Sequence, residues 1–354
     1  MDNLPKRIAI VYDWVDKWGG AEQILLALHE VFPNAPLYTL FYKPHKARWA
    51  KVFPHIYSSF LQNISFLPRQ ILVAFAPMAF ESFKFSNYDL VVSVTSHFAK
   101  GIITNPGTVH YCICLTPPRY LYLDQNNYRV YSIFKPFEKL VKKYLIYWDK
   151  IATHRPDKIF AISKTVQKRI STIYNLKSDI LYPPVNTQKY VPSKKESFFL
   201  YLGRLESYKN PIMITRVFNQ LGLPLIIAGT GTLYKKIKSI ALSNIQVLGE
   251  VSEESKFDFL SKAKALIYYH EEDFGIVPVE AMTCDTPVIG FNKGGVAETV
   301  INGKTGILIN DLSPKSLADA IINFKPEKYL FKNLIKQASK FSYESFIRTC
   351  SLWR

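Results

Sequence analysis

The 354-residue chain has room for two domains, and its 48% hydrophobic content excludes a disordered or fibrous chain. Its 45 lysines and arginines against 28 acids leave a formal charge of +17, which points to an anionic partner: nucleic acid, membrane or a phosphorylated substrate. Residues 1–190 carry 24 bases and 12 acids, and residues 191–354 carry 21 and 16, so the surplus belongs mainly to the N-terminal half.

Of the cysteines, only Cys112 and Cys114 are close together, and no second pair completes a zinc site. They read as reduced thiols, which favours the cytosol. The apolar run before Asp13 is too short for a signal-peptide core. No uncharged stretch approaches the roughly 18–20 residues of a membrane span. A cytoplasmic protein is expected.

Short apolar runs alternate with longer amphipathic ones, the pattern of βα units. In the first half the expected strands are Arg7–Tyr12, Leu37–Phe41, Asp89–Val94, Val109–Leu115 and Lys158–Ala161, with helices at Ala21–Phe32, Pro136–Thr153 and Lys164–Tyr174. Residues 181–197 hold three prolines and several polar residues, which suit neither a helix nor an interior strand. An interdomain linker is expected there. The alternation then restarts with strands Phe198–Leu202, Leu225–Ala228, Ile245–Leu248, Ala265–Tyr269 and Pro287–Phe291. Helices are expected at Pro211–Leu221, Leu233–Ala241, Glu253–Ala263, Pro278–Thr283 and Leu317–Phe324. The fold class is α/β: two Rossmann-like parallel-sheet domains, whose ligands would bind outside the carboxyl ends of the strands, in an interdomain cleft.

The stretch Pro68–Phe83 is broadly apolar, and Ile71, Leu72, Phe75, Met78, Ala79 and Phe83 fall roughly on one helical face. Pro77 is expected to divide it into two pieces. A buried helix is the default. Nearby Arg69 and the basic segment 136–150 support instead a surface that dips into membrane.

The segment HEEDFGIVPVEAMTCDTPVIGFNKGG, residues 270–295, leaves a buried strand, turns through Gly275 and enters a helix near Pro278. Unpaired backbone N–H groups there suit sugar hydroxyls or phosphate oxygens; an acidic turn that only complements the helix dipole reads equally well. GRLESYKN, residues 203–210, places Arg204 and Lys209 five apart across a strand-to-helix turn. Read alone, two such cations are usually solvated; together they can also neutralise one phosphate group. Near the N-terminus Gly19 and Gly20 lie between a strand and a helix, compatible with a plain tight turn or with an anion at the helix start. His97 and Lys100, then Arg119 and Tyr120, follow later strands and would open into the cleft.

These elements resemble the retaining GT-B glycosyltransferases of family 4, and most closely bacterial mannosyltransferases that build O-antigen and related surface polysaccharides. Glu272 and Glu280 match the family's E-x7-E element, Arg204 and Lys209 its G-R-x4-K clamp, and Gly294, Gly295 and Glu298 its G-G-x-x-E-x-V element. The match runs from the strand at Arg7 to the Gly303–Thr305–Gly306 turn. The resemblance implies residues 1–186 as an acceptor domain, 187–339 as a nucleotide-sugar domain and 340–354 as a helix crossing back to the first.

It further implies Arg204, Lys209, Glu272 and His97 as catalytic, with Gly19, Gly20, Phe274, Gly275, Glu280, Gly294 and Gly295 on the donor and Arg119 and Tyr120 on the acceptor. Leu115 stands where the subgroup often has His. The implied reaction moves a hexose, first of all mannose from GDP-mannose, to a lipid-linked or surface-polysaccharide saccharide. It uses no metal or other cofactor. The partners would be the nucleotide sugar, that acceptor and an anionic membrane surface on the cytoplasmic side, not nucleic acid. A UDP-sugar transferase and a GT-B sugar-nucleotide epimerase are the alternatives. A nucleic-acid-binding protein, suggested by charge and aromatics, lacks any matching motif.

Overall fold

The computed structural model describes residues 6–123, 135–187 and 193–353. Part of the expected linker, residues 188–192, lies outside them. The chain forms two compact units, one of residues 1–182 with 346–354 and one of residues 183–345.

The first unit contains β1 (Ile8–Tyr12), α1 (Gly20–Val31), β2 (Leu37–Thr39), β3 (Ile56–Ser58), α2 (Arg69–Glu81), β4 (Leu90–Thr95), β5 (Val109–Cys114), α3 (Arg119–Tyr122), α4 (Lys135–Ala152), β6 (Lys158–Ala161), α5 (Lys164–Tyr174) and β7 (Asp179–Ile180). Its seven strands run in the order β3-β2-β1-β4-β5-β6-β7, all paired in parallel. Residues of β1 and β4 are buried throughout, as a parallel sheet covered on both faces requires. That is why these strands read as unbroken apolar runs rather than alternating ones.

The second unit contains β8 (Phe199–Leu202), α6 (Pro211–Leu221), β9 (Leu225–Ala228), α7 (Tyr234–Ile240), β10 (Ile245–Gly249), α8 (Glu253–Lys262), β11 (Leu266–Tyr268), α9 (Ile276–Thr283), β12 (Val288–Phe291), α10 (Val296–Thr299), β13 (Gly306–Ile309), α11 (Pro314–Ile322) and α12 (Phe331–Ala338). The strand order is β10-β9-β8-β11-β12-β13. Helices begin where capping chemistry allows. The Ser252 and Ser313 hydroxyls accept backbone N–H bonds from Ser255 and Ser316, and Pro211 and Pro314 occupy first-turn positions. A last helix, α13 (Tyr343–Ser351), starts in the second unit, and from Phe346 the chain belongs to the first. There Trp353 packs on Phe160 at 5.0 Å and on Tyr111 at 5.3 Å, and its carbonyl accepts from Lys6 at 3.0 Å.

Chain order reverses at one point in each sheet. In the first unit β1 and β4 lie side by side with their connections leaving in opposite directions, and in the second β8 and β11 do the same. Loops diverge at the carboxyl ends of such strand pairs and leave a crevice. The segments after β1, β4, β8 and β11 are therefore the ones the topology brings to ligand positions.

Two expectations need correction. Pro77 does not divide its segment: α2 is one helix with Pro77 inside it. Leu72, Ala76, Ala79 and Phe80 are buried in the first unit's core, and that packing outweighs the lost backbone bond. Lys100 does not reach toward a substrate. It is 3% exposed, ion-paired with Asp149, and donates to the His97 carbonyl at 2.8 Å. Burial works against its charge, yet Asp149 beside it holds the ammonium above its ordinary pKa. Asp149 also accepts from the hydroxyls of Tyr122 and Tyr174 at 2.9 and 2.7 Å. Removing one partner of a buried pair strands the other. Lys100→Met should cost about 3–5 kcal/mol in urea unfolding, and adding Asp149→Leu should recover part of that loss.

Candidate active site

In the second unit the site is built from two loops at the strand-order reversal. Residues 203–210 leave β8 and residues 269–275 leave β11. Lys209, 6% exposed, is ion-paired with Glu272, whose side chain keeps about 26% of its surface open. The Tyr268 hydroxyl donates to the other carboxylate oxygen of Glu272, and His270 Nε2 lies 3.6 Å from Oε1. Burial opposes the charge on Glu272, but the contacts of His270 and Lys209 prevail and hold the carboxyl well below its usual range. It is a fixed anion and hydrogen-bond acceptor at neutral pH. Burial pushes the His270 imidazole down.

Arg204 is exposed, and its guanidinium donates to the Tyr208 hydroxyl at 2.7 Å. Arg204 and Lys209 each lie 5.9 Å from the Tyr208 ring centre. One tyrosine thus stands beside both expected cations, while only Lys209 is held by a carboxylate among the ion pairs described.

The acidic loop is positioned by close backbone packing. Gly295 N–H donates to the Glu272 carbonyl at 2.8 Å. A β-carbon on Gly294 would lie 2.2 Å from that carbonyl oxygen, and one on Gly295 would lie 2.1 Å from the Phe274 carbonyl oxygen. Only glycine permits this approach. Gly275, at φ 84°, makes the turn into α9. The Phe274 side chain is buried and packs edge-on against Phe341 at 5.5 Å, so its backbone is the part left to the loop. Glu280, also expected here, is 5% exposed and paired with Lys256 of α8 at 2.9 Å. Burial pushes its carboxyl up, against the pull of Lys256.

In the first unit Asp13 directly follows β1 and is 1% exposed. Its carboxylate accepts the Thr95 hydroxyl at 2.9 Å and the backbone N–H groups of Ser96, His97, Phe98 and Ala99 at 2.7–3.0 Å. The turn after β4 is thereby fastened to the end of β1. His97 Nδ1 lies 2.6 Å from the Ser96 hydroxyl and 3.6 Å from Asp13. The imidazole has Trp14 at 4.5 Å on one contact and Tyr120, stacked at 5.7 Å, on another. His97 and Tyr120 are therefore brought together, with Arg119 half-buried in the adjacent turn. Gly19 caps α1, and beside it the buried Glu22 accepts from the Tyr12 hydroxyl at 2.9 Å. Asp13, Tyr268, His270 and Lys256 carry much of this geometry and were not singled out from sequence. Asp13 could have been, as a carboxylate at the carboxyl end of a buried strand.

Residues 184–341 match the family model for glycosyl transferases group 1, which spans almost all of the second unit. An uncharacterized glycosyltransferase of Methanocaldococcus jannaschii is 29% identical over 55% of this chain and 57% of its own length. The O-antigen chain mannosyltransferase RfbU of Salmonella typhimurium is 26% identical over 62% of this chain and 65% of its own. These matches thus span between half and two thirds of the length of either relative. Among solved structures, HepE of Anabaena in complex with UDP-glucose superposes with a TM-score of 0.72 at 16% identity, covering 99% of both chains. The fold is therefore GT-B, as the sequence resemblance implied.

The two loop anchors respond differently to perturbation. Asp13 is lowered from 3.8 to about 2, because His97 and the backbone donors of Ala99 and Ser96 outweigh burial. A depressed carboxyl stabilises the fold above its unfolded value and loses that contribution as pH falls. About 2 kcal/mol should disappear between pH 3.8 and 2, and Asp13→Asn should flatten that part of the pH dependence in urea unfolding. Gly295→Ala forces backbone against backbone. It should destabilise by about 1–3 kcal/mol in the same measurement and move the Glu272 loop.

Proposed function

From the match of its second unit to the group 1 glycosyl transferases, we propose that the chain transfers a hexosyl unit from a nucleoside diphosphate sugar to a saccharide hydroxyl. The observation that carries the reading is the Lys209–Glu272 pair at the carboxyl ends of β8 and β11. A donor places a dianionic diphosphate and a polyhydroxylated sugar side by side. A buried ammonium and an obligatorily ionised carboxylate are the complementary groups.

In this reading Lys209 and Arg204 neutralise the departing diphosphate, Glu272 with the Phe274–Gly275 backbone accepts the sugar's hydroxyls, and Glu280 takes the ribose. Binding of the diphosphate would draw Lys209 from Glu272 and leave that carboxylate free to accept from the sugar. In the first unit His97, Tyr120 and Arg119 would meet the acceptor. The C1–oxygen bond to phosphate breaks as the acceptor oxygen attacks from the same side, and the acceptor's proton passes to the leaving phosphate oxygen. Anomeric configuration is retained. The two protein cations supply the charge stabilisation a metal would otherwise give.

Mannose from GDP-mannose is the preferred donor, supported by the mannosyltransferase name of the Salmonella relative. The acceptor would be a lipid-linked or surface-polysaccharide saccharide. A UDP-sugar is the second reading, favoured by the UDP-glucose bound to the structurally similar Anabaena protein.

Thermal stabilisation by GDP-mannose, UDP-glucose, GDP and UDP distinguishes the donors, since only a ligand of the native state raises the melting temperature. GDP-mannose should give the largest shift, and no shift with any of the four would overturn the reading. With the donor identified, Lys209→Ala and Arg204→Ala should each lower kcat by about 10²–10³-fold. Near-normal turnover in both would remove the proposed roles.

A further inference from the structure

We infer that His270 is a positioning residue for the donor: it takes over Glu272 when the diphosphate draws Lys209 away, and it accepts a proton from solvent as it does so. The imidazole is 1% exposed and stands two residues beyond the end of β11, its ring 4.2 Å from that of Tyr268. Neither ring nitrogen has a hydrogen-bond partner among the described residues. Buried polar atoms left in this way are costly and uncommon. Here a partner stands close but is already engaged, for Nε2 lies 3.6 Å from Oε1 of Glu272, and Oε1 is the oxygen that Lys209 holds. That gap is too long for a hydrogen bond, and a small side-chain movement closes it once the ammonium leaves.

The surrounding groups set the direction. Burial opposes a charge on the ring, and so does the Lys209 ammonium from the loop after β8, while Glu272 pulls the other way; the balance keeps the resting imidazole below its ordinary pKa. Burial and the nearby Glu272 carboxylate hold the hydroxyls of Tyr268 and of Tyr201 in β8 protonated. Glu271, next in sequence, lies against Gly294, and Arg204 and Tyr208 bond each other toward solvent. Withdrawing Lys209 therefore removes a repulsion from His270 and uncovers its acceptor in one step. A carboxylate offers about four lone-pair positions. Tyr268 uses one on Oε2, His270 would use one on Oε1, and the others stay open to sugar hydroxyls. Without this second partner Glu272 would be held through one oxygen alone at the moment when the sugar needs it in place.

This role rests on the proposed donor site for its ligand, but the first test needs none. The full chain, labelled in its histidine rings, is titrated by NMR, with the His270 signal identified by its loss in His270→Gln. In Lys209→Met the His270 midpoint should lie higher than in the wild type by about one pH unit or more, and adding Glu272→Gln should abolish the rise. Lys209→Gln makes the same comparison if Lys209→Met does not fold. The second test is calorimetry with GDP-mannose and UDP-glucose, whose diphosphates do not titrate near neutrality, in two buffers of different ionisation enthalpy. At about pH 6.5 the wild type should take up as much as about one proton per donor bound, so that affinity rises as pH falls, and His270→Gln should take up none. An unchanged midpoint in the Lys209 variant, donor binding without proton uptake, or uptake that persists in His270→Gln overturns the assignment. A raised midpoint with no binding of either sugar nucleotide would instead remove the donor reading and leave His270 as the second partner of Glu272.

Discussion

The ion pair of Lys209 with Glu272 joins the two loops that diverge from β8 and β11, and much of the second unit's detail exists to hold it. An ion pair this enclosed pays for desolvation on both partners, and it persists only where further contacts satisfy the remaining polar atoms. Tyr268 supplies one such contact to Glu272, and His270 stands near the other oxygen. The carboxylate must also arrive at a definite height above β11. Gly294 and Gly295 set that height by letting their backbone meet the backbone of residues 272–274 with no β-carbon between them. The glycine pair therefore acts through the acidic loop, whatever else it touches.

The first unit solves the same topological problem with different chemistry. There too a carboxylate sits at the strand-order reversal, but Asp13 is held by backbone N–H groups of one turn. Those donors cannot leave without unfolding the turn, whereas the Lys209 ammonium can exchange one anion for another. The difference assigns the two acids different kinds of work. Asp13 fixes where His97 and its stacked partner Tyr120 stand, and Glu272 is available to a ligand.

Sequence pattern reached most of this architecture because parallel strands buried on both faces are long apolar runs, and proline or serine marks helix starts. Where those signals fail, so did the reading. The edge strand β3 (Ile56–Ser58) is largely exposed, with no alternation to betray it. β7 has only two residues, and α2 keeps Pro77 because core packing overrides a local rule. The cations at 204 and 209 and the acids at 272 and 280 were visible as motif positions, but their partners were not. That Lys209 meets Glu272 while Glu280 meets Lys256 depends on which loops and which helices adjoin, information that spacing along one strand–loop–helix unit does not contain. His270 illustrates the same limit from inside a quoted motif. Its significance lies in being buried 3.6 Å from a carboxylate, which no linear pattern expresses.

The net charge of +17 divides along similar lines once the pairs are known. Lys100, Lys209 and Lys256 are committed to Asp149, Glu272 and Glu280, so the cations nearest the expected chemistry are largely balanced before any ligand arrives. A balanced ammonium is a better diphosphate ligand than a bare one in a specific sense. Its position is already fixed, and under the proposed function the carboxylate it leaves would become an acceptor for the sugar next to the phosphate. The lysines of α4 differ, because no acid within residues 139–152 is exposed. Long-range attraction between charged surfaces arises from such concentrated charge and not from the total.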